Sequence, residues 1–82
     1  MNLLLDAEPG ELLRLAALTY FQRMRMEWIE EMLDVYGFIN REHICRKFEI
    51  SVPQASTDLT TFQRLFPDRI TYNKSAKQYE RP

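Results

Sequence analysis

The sequence predicts a mainly α-helical domain that ends in a small β-hairpin. Apolar residues recur at intervals of three and four along two long segments, which is typical of helices packed against a core. Near the C-terminus, Ile70-Thr71-Tyr72 and Lys77-Gln78-Tyr79 flank a polar turn, Asn73-Lys74-Ser75-Ala76, as the strands of a hairpin do. A chain of 82 residues with one cysteine and one histidine allows one small core, and neither an internal disulfide nor a usual zinc site stabilises it.

The first long segment predicts a helix that begins near Glu8-Pro9-Gly10-Glu11 and continues to Tyr36, where Gly37 supplies a stop. The second half of this helix has a single apolar stripe, which consists of Trp28, Ile29, Met32, Leu33 and Tyr36. Its first half is apolar on two sides, so we expect it to need two neighbours. The residues that we assign on this ground to dimerisation or docking are Leu13, Leu15, Ala17, Leu18, Tyr20, Phe21 and Met24.

A short helix of about eight residues is predicted after Asn40, which is a favourable N-cap residue. It would bury Ile44 and Phe48, and Glu49-Ile50-Ser51 would form the turn that follows. We expect Ile50 to fill the angle between this helix and the next one.

The next helix is predicted to begin at Ser51, which can form a capping box with Gln54 three residues later. Pro53 is compatible with the first helical turn, because its missing N–H would have no partner within the helix. Val52 precedes that proline and is biased away from helical angles, so a cap one residue later is the alternative.

This last helix is predicted to read DNA. One stripe belongs to the core and consists of Val52, Ala55, Leu59, Phe62 and Phe66. The opposite face is short, polar and uncharged, whereas a merely solvated face is usually richer in lysine and glutamate. Such side chains can donate to and accept from base edges in the major groove. The residues predicted to read bases are Gln54, Ser56, Thr57 and Thr60, and an ordinary exposed face is the alternative.

The charges of the chain are distributed unevenly, which matters for a polyanionic partner. Residues 1–40 carry three basic and seven acidic side chains, and residues 41–82 carry eight basic and five acidic ones. The predicted reading helix therefore lies in the basic half, and the hairpin after it has basic residues in and beside its tip. The residues predicted to bind phosphate are Arg41, Lys47, Ser51, Arg64, Lys74, Ser75 and Lys77.

Several other side chains have simpler interpretations. We expect the aromatic residues Trp28, Tyr36, Tyr72 and Tyr79 to belong to the core, with their polar atoms at its edge. We expect Cys45 to be a small, partly buried hydrophobic residue rather than a redox switch. His43 would be a surface residue in the first turn of the short helix.

From about Glu27 to Tyr79, the chain resembles the N-terminal winged helix-turn-helix module of bacterial WYL-domain transcriptional regulators, especially the branch that represses anti-phage defence operons. The resemblance depends on Gly37-Phe38-Ile39-Asn40-Arg41, on Ile50-Ser51-Val52-Pro53-Gln54-Ala55-Ser56, and on the hairpin residues from Tyr72 to Tyr79. Thr57-Asp58-Leu59 also resembles the Arg-Asp-Leu of DeoR-type repressors, with threonine in place of arginine. The closer resemblance implies a dimer that binds inverted repeats.

Regulators of that family continue into a WYL ligand-sensing domain and a dimerisation extension, whereas this chain stops at Pro82. We therefore expect either an excised N-terminal domain or a stand-alone DNA-binding protein that dimerises by other means. Residues 1–24 would form an N-terminal helical extension for self-pairing or docking, and residues 25–82 would form the winged helix-turn-helix domain.

Sequence-specific binding of double-stranded DNA is the function that the sequence predicts, with the chain acting as a dimeric transcriptional repressor. The alternative is a winged helix used for protein contacts without specific DNA binding. No phosphate loop, nucleophile elbow or pair of carboxylates in a cleft is visible, so we expect no enzyme activity, cofactor or metal. The N-terminal leucines are followed at once by acidic residues, which fits neither a secretory signal nor a membrane span and predicts a cytoplasmic protein.

Overall fold

The computed structural model describes residues 9–10, 16 and 18–82, and from Tyr20 onward three helices and three short strands follow one another. The elements in chain order are α1 (Tyr20–Tyr36), β1 (Phe38–Ile39), α2 (Arg41–Phe48), α3 (Val52–Leu65), β2 (Thr71–Asn73) and β3 (Gln78–Glu80). The mainly α-helical fold with a C-terminal hairpin is therefore confirmed. No helix among the described residues is both long and apolar enough to cross a membrane.

Helix α1 begins at Tyr20, so the prediction of one helix running from about residue 8 to Tyr36 is wrong. Thr19 is its N-cap: the Thr19 Oγ1 atom accepts from the backbone N of Gln22 at 3.2 Å, and the Gln22 Oε1 atom accepts from the backbone N of Thr19 at 2.9 Å. This reciprocal capping box starts a new helix. The predicted stop is confirmed, because Gly37 ends α1 in the left-handed region at φ +82°. The predicted division between residues 24 and 25 falls within α1.

Helices α2 and α3 are joined by the predicted turn. Glu49 ends α2 in the left-handed region at φ +54°, and Ile50 is half-buried against the core. Ser51 is the N-cap of α3, as predicted, and Pro53 lies in the first turn. Asn40 is the N-cap of α2, but His43 is half-buried rather than on the surface, because its Nδ1 atom accepts from the backbone N of Asn40 at 3.2 Å.

The three strands form an antiparallel sheet in the order β1-β3-β2. The predicted hairpin is present, although both strands begin and end one residue later than expected, and Tyr72 pairs with Tyr79. Strand β1 was not predicted. It pairs with β3 through Phe38 and Ile39, so the sheet connects the end of α1 to the hairpin.

The core lies between the three helices and the sheet. Its fully or almost fully buried apolar residues are Met26, Ile29, Leu33, Ile39, Ile44, Ala55, Leu59, Phe62, Leu65, Phe66 and Ile70. Trp28 and Tyr79 are half-buried against this core, and Trp28 meets Phe48 edge to face at 5.5 Å between ring centroids.

Three predicted core residues are instead exposed. Val52 is the first residue of α3 and is 47% exposed, because the core begins one turn later. Tyr36 is 66% exposed at the last position of α1, and Tyr72 is 43% exposed on the hairpin, where its ring packs on that of Tyr79 at 4.8 Å between centroids. Two acidic residues, Glu30 and Asp58, are buried, and each is paired with an arginine.

Candidate nucleic-acid interface

The start of α3 is fixed by the turn before it. The Ser51 Oγ atom accepts from the backbone N of Gln54 at 3.3 Å, which satisfies one of the free N–H groups of the first turn. In helix-turn-helix proteins the first residues of the second helix contact base edges in the major groove. The side chains of this part of α3 are therefore the candidates for base contacts.

Thr57, Thr60 and Arg64 form one exposed stripe along α3, at spacings of three and four residues. Gln54 and Ser56 are half-buried and lie on the two flanks of this stripe. The four residues predicted to read bases thus share one side of the helix with Arg64, which was predicted to bind phosphate.

The two threonines of the stripe are arranged as hydrogen-bond acceptors. The Thr57 Oγ1 atom donates to the carbonyl O of Pro53 at 3.0 Å, and the Thr60 Oγ1 atom donates to the carbonyl O of Ser56 at 3.0 Å. Because the hydroxyl protons are used within the helix, the lone pairs remain available to an outside donor. The donors on base edges in the major groove are the amino groups of adenine and cytosine.

Gln54 has a partner that the sequence analysis missed. Its Nε2 atom donates to the Oδ1 atom of Asp58 at 3.1 Å, so only the Ser51 half of the predicted capping box forms. Asp58 is 2% exposed and is bound by Arg25 of α1. A signal was present in the sequence, since Asp58 is an acidic residue adjacent to the apolar stripe of α3, but nothing local identified Arg25 as its partner.

The tip of the hairpin is held by Asn73. Its Oδ1 atom accepts from the backbone N of Ala76 at 3.0 Å, and its Nδ2 atom donates to the Oε2 atom of Glu80 at 3.0 Å. Lys77 closes the turn in the left-handed region at φ +54°. The exposed residues Lys74, Ser75 and Lys77 are therefore carried by a turn of defined shape.

A polar recess of about 330 Å³ lies between α3, the start of α2 and the hairpin. Its walls bring together Arg41, Ser56 and Lys77, three residues that were predicted separately. Among the described residues Arg41 forms a long, exposed ion pair with Glu42, in which its Nε atom is 3.7 Å from the Glu42 Oε1 atom. An ion pair of this kind is weak, so the guanidinium remains available for another anion. Lys47, Ser51, Arg64, Lys74 and Ser75 do not line the recess.

This arrangement of helices and hairpin is that of a known protein family. The sequence model of the BrxR transcriptional regulator winged helix-turn-helix domain matches residues 22–82. The chain belongs to this family. In a BrxR-type domain α3 is the second helix of the helix-turn-helix, and the hairpin of β2 and β3 is the wing. The resemblance to the N-terminal module of WYL-domain regulators is thereby confirmed.

Curated relatives with the same module are similar over 58 residues, which are 71% of this chain. The DNA-binding transcriptional repressor CapW is 43% identical in Escherichia coli, 40% in Pseudomonas aeruginosa and 38% in Stenotrophomonas maltophilia. The matched segment spans 19% of the length of these relatives. This BrxR-type domain therefore corresponds to a small part of each of them.

Four of the residues assigned to dimerisation or docking lie in the described part of the chain. Tyr20 and Phe21 are 67% and 64% exposed, and their rings meet edge to face at 5.5 Å between centroids. Met24 is 39% exposed on the same helix, whereas Leu18 is half-buried against the chain's own core. Leu13, Leu15 and Ala17 lie outside the described residues.

Within the described residues, no three histidine, cysteine, aspartate or glutamate side chains are grouped so that they could hold a metal ion. Cys45 is a half-buried free thiol that packs against the core of the BrxR-type domain, which agrees with its predicted structural role.

Proposed function

We propose that the chain binds double-stranded DNA sequence-specifically, as the DNA-binding module of a transcriptional repressor. The observation that carries this proposal is the exposed stripe of α3, whose threonine acceptors face solvent beside a recess lined by Arg41 and Lys77. Helix α3 would enter the major groove while the wing follows the backbone. The names of the CapW relatives, which describe them as DNA-binding repressors, support the same function.

In this proposal one set of side chains contacts base edges and a second set binds phosphates. Base edges would be read by Gln54, Ser56, Thr57 and Thr60. Phosphates would be bound by Arg41, Lys47, Ser51, Arg64, Lys74, Ser75 and Lys77. Contacts of the second set fix the position of the protein on the duplex, and contacts of the first set select the sequence.

We infer further that the chain acts as a pair on an inverted repeat. Tyr20, Phe21 and Met24 present apolar surface at the start of α1, which a second copy would cover. Two domains related by a two-fold axis would read half-sites one helical turn, or a multiple of it, apart. In this proposal residues 1–24 serve pairing and residues 25–82 serve DNA binding, with α1 contributing to both.

We propose no catalytic activity for the chain, because its family is one of transcriptional regulators and repression of this kind needs only binding. A protein that binds operators works where the chromosome lies, so we place it in the bacterial cytoplasm.

The first experiment is a fluorescence-anisotropy titration of the chain against the DNA upstream of its own gene and a scrambled duplex, at about 50 and 200 mM salt. We expect tighter binding to the native fragment and a steep loss of affinity between the two salt concentrations. Equal binding to both duplexes would contradict sequence-specific recognition. Absence of binding at low salt would exclude DNA as the partner.

A matched pair of arginine variants tests whether the proposed face is the one that binds. Arg64 and Arg46 are both exposed and both lie in the last turn of a helix, on α3 and α2 respectively. Arg64→Ala should lower the slope of log affinity against log salt by about one, since one phosphate contact is lost. Arg46→Ala should leave the slope unchanged, and equal effects of the two variants would contradict the proposed orientation.

The alternative function, a winged helix used for protein contacts, is favoured by the exposed rings of Tyr20 and Phe21. It predicts the same affinity for every duplex together with tight association with a different protein. Replacing both rings by serine separates the two functions, because the DNA-binding proposal expects loss of pairing with retention of a weaker, salt-dependent DNA affinity.

A further inference from the structure

A buried ion pair lies directly beneath the start of the proposed reading helix. The Arg25 Nε atom donates to the Asp58 Oδ2 atom at 2.6 Å, and the Arg25 Nη2 atom donates to the Asp58 Oδ1 atom at 3.1 Å. The Arg25 side chain is 13% exposed and that of Asp58 is 2% exposed. This bidentate geometry holds the carboxylate in one orientation, because two parallel hydrogen bonds fix its plane.

The same carboxylate binds Gln54. Its Oδ1 atom accepts from the Gln54 Nε2 atom at 3.1 Å, so the three side chains form one chain of hydrogen bonds from α1 to the flank of the reading stripe. An ionised carboxylate only accepts, so the amide must turn its nitrogen toward Asp58 and its oxygen away. The reverse orientation would set two acceptors against each other.

The hydrogen-bonding groups of the Gln54 amide that do not contact Asp58 are complementary to the edge of adenine. A bidentate contact with adenine uses one N–H, which donates to N7, and the carbonyl oxygen, which accepts from the N6 amino group. The bond to Asp58 uses one of the two N–H groups of Gln54, which leaves the other N–H and the Oε1 atom for a partner. Guanine offers acceptors at both N7 and O6, so the Oε1 atom would have no donor there.

We propose that Arg25 and Asp58 are positioning residues that present Gln54 as a reader of adenine. This inference depends on the proposed function, since it names the base that one flank of the interface selects. Arg25 and Asp58 touch no base themselves. They fix the side chain of Gln54 before the DNA arrives, so less conformational entropy is lost when the contact forms.

The test measures selection from a library of duplexes randomised over the binding site, with sequencing of the bound fraction. Wild type is compared with Gln54→Ala and with a double variant, Arg25→Met with Asp58→Val, which removes the pair without leaving a buried charge. The matched control is Glu30→Leu with Arg69→Met, which replaces another ion pair of α1. Circular dichroism confirms that each variant is folded before selection.

We expect one adenine column of the selected motif to disappear in Gln54→Ala and to weaken strongly in the double variant, while the control keeps it. Replacing that adenine by 7-deazaadenine, which lacks N7, should weaken binding by wild type roughly 5- to 100-fold and should hardly affect the double variant. Adding Gln54→Ala to the double variant should remove only the weak adenine preference that remains, a smaller loss of selectivity than the same substitution causes in wild type.

The other possible results of the selection would each contradict a different part of the inference. If wild type selects a motif but the double variant keeps its full adenine preference, the positioning role is wrong. If the column that depends on Gln54 prefers another base, the adenine assignment is wrong. If wild type selects no motif, the proposed function fails first and this inference fails with it. A uniform loss of affinity with unchanged selectivity in the double variant would indicate a structural role alone.

Discussion

Replacing Arg25 by methionine is expected to destabilise the domain strongly. The substitution keeps most of the side-chain volume but leaves the carboxylate of Asp58, which is 2% exposed, with the amide of Gln54 in place of a guanidinium. Removing one partner of a buried ion pair typically costs about 3–5 kcal/mol.

A loss of this size is a large fraction of the total free energy of unfolding of the domain. At roughly 0.05–0.15 kcal/mol per residue, a domain of this length has about 4–12 kcal/mol in total. Arg25→Met would therefore be largely unfolded if the wild type lies near the lower end. Adding Asp58→Val should restore most of the loss, because a buried pair replaced by apolar residues of similar volume is often neutral or stabilising.

Urea unfolding followed by circular dichroism measures both effects. The midpoint should fall sharply for Arg25→Met and return near the wild-type value for the double variant, with similar slopes for all three proteins. A loss below about 1 kcal/mol for Arg25→Met would mean that the pair is weak or solvated. A double variant no more stable than Arg25→Met would mean that the charge on Asp58 is not the source of the loss.

Four further substitutions test other parts of the fold by the same unfolding assay or by amide exchange. Glu49→Gly should stabilise the domain by about 0.5–1 kcal/mol, because Glu49 ends α2 at φ +54°, in the left-handed region that favours glycine. Gly37→Ala should destabilise the domain by about 1 kcal/mol for the same reason, because Gly37 has φ +82°. Phe62→Ala should cost about 3–5 kcal/mol, because the ring is completely buried. Asn73→Ala should accelerate amide exchange at Ala76, whose N–H loses its acceptor, without changing exchange in α1.

Local patterns predicted the parts of the fold that depend on neighbouring residues. Ala55, Leu59 and Phe62 are buried as their spacing indicated, and Gly37 ends α1 in the conformation that glycine favours. The break before α1 was predictable on the same basis, because Thr19 and Gln22 have the spacing of a capping box. Apolar residues at helical spacing on both sides of Thr19 conceal this break, because they are also compatible with one continuous helix.

Features that depend on distant residues were not predictable from one sequence. Strand β1 exists because Phe38 and Ile39 meet β3, which lies about forty residues later. Glu30 lies outside the apolar stripe predicted for this part of α1, but it is buried beside Arg69 of the segment after α3. The candidate site was predictable only in part for the same reason, since some of its contacts join residues that are distant in the sequence. The exposed stripe of α3 followed from its spacing, whereas the ion pair of Asp58 with Arg25 required the packing of α1 against α3.

Stability alone does not explain why the buried positions 25 and 58 hold an ion pair rather than apolar residues. If apolar residues at positions 25 and 58 support the fold as well as the charges do, the ion pair adds little to the free energy of unfolding. Its remaining contribution would be the orientation of Gln54, since an apolar pair offers the amide no acceptor. Equal stability of wild type and the double variant, combined with loss of adenine selectivity in the double variant, would therefore separate the two roles. Arg25 and Asp58 would then serve recognition of the base rather than stability of the core.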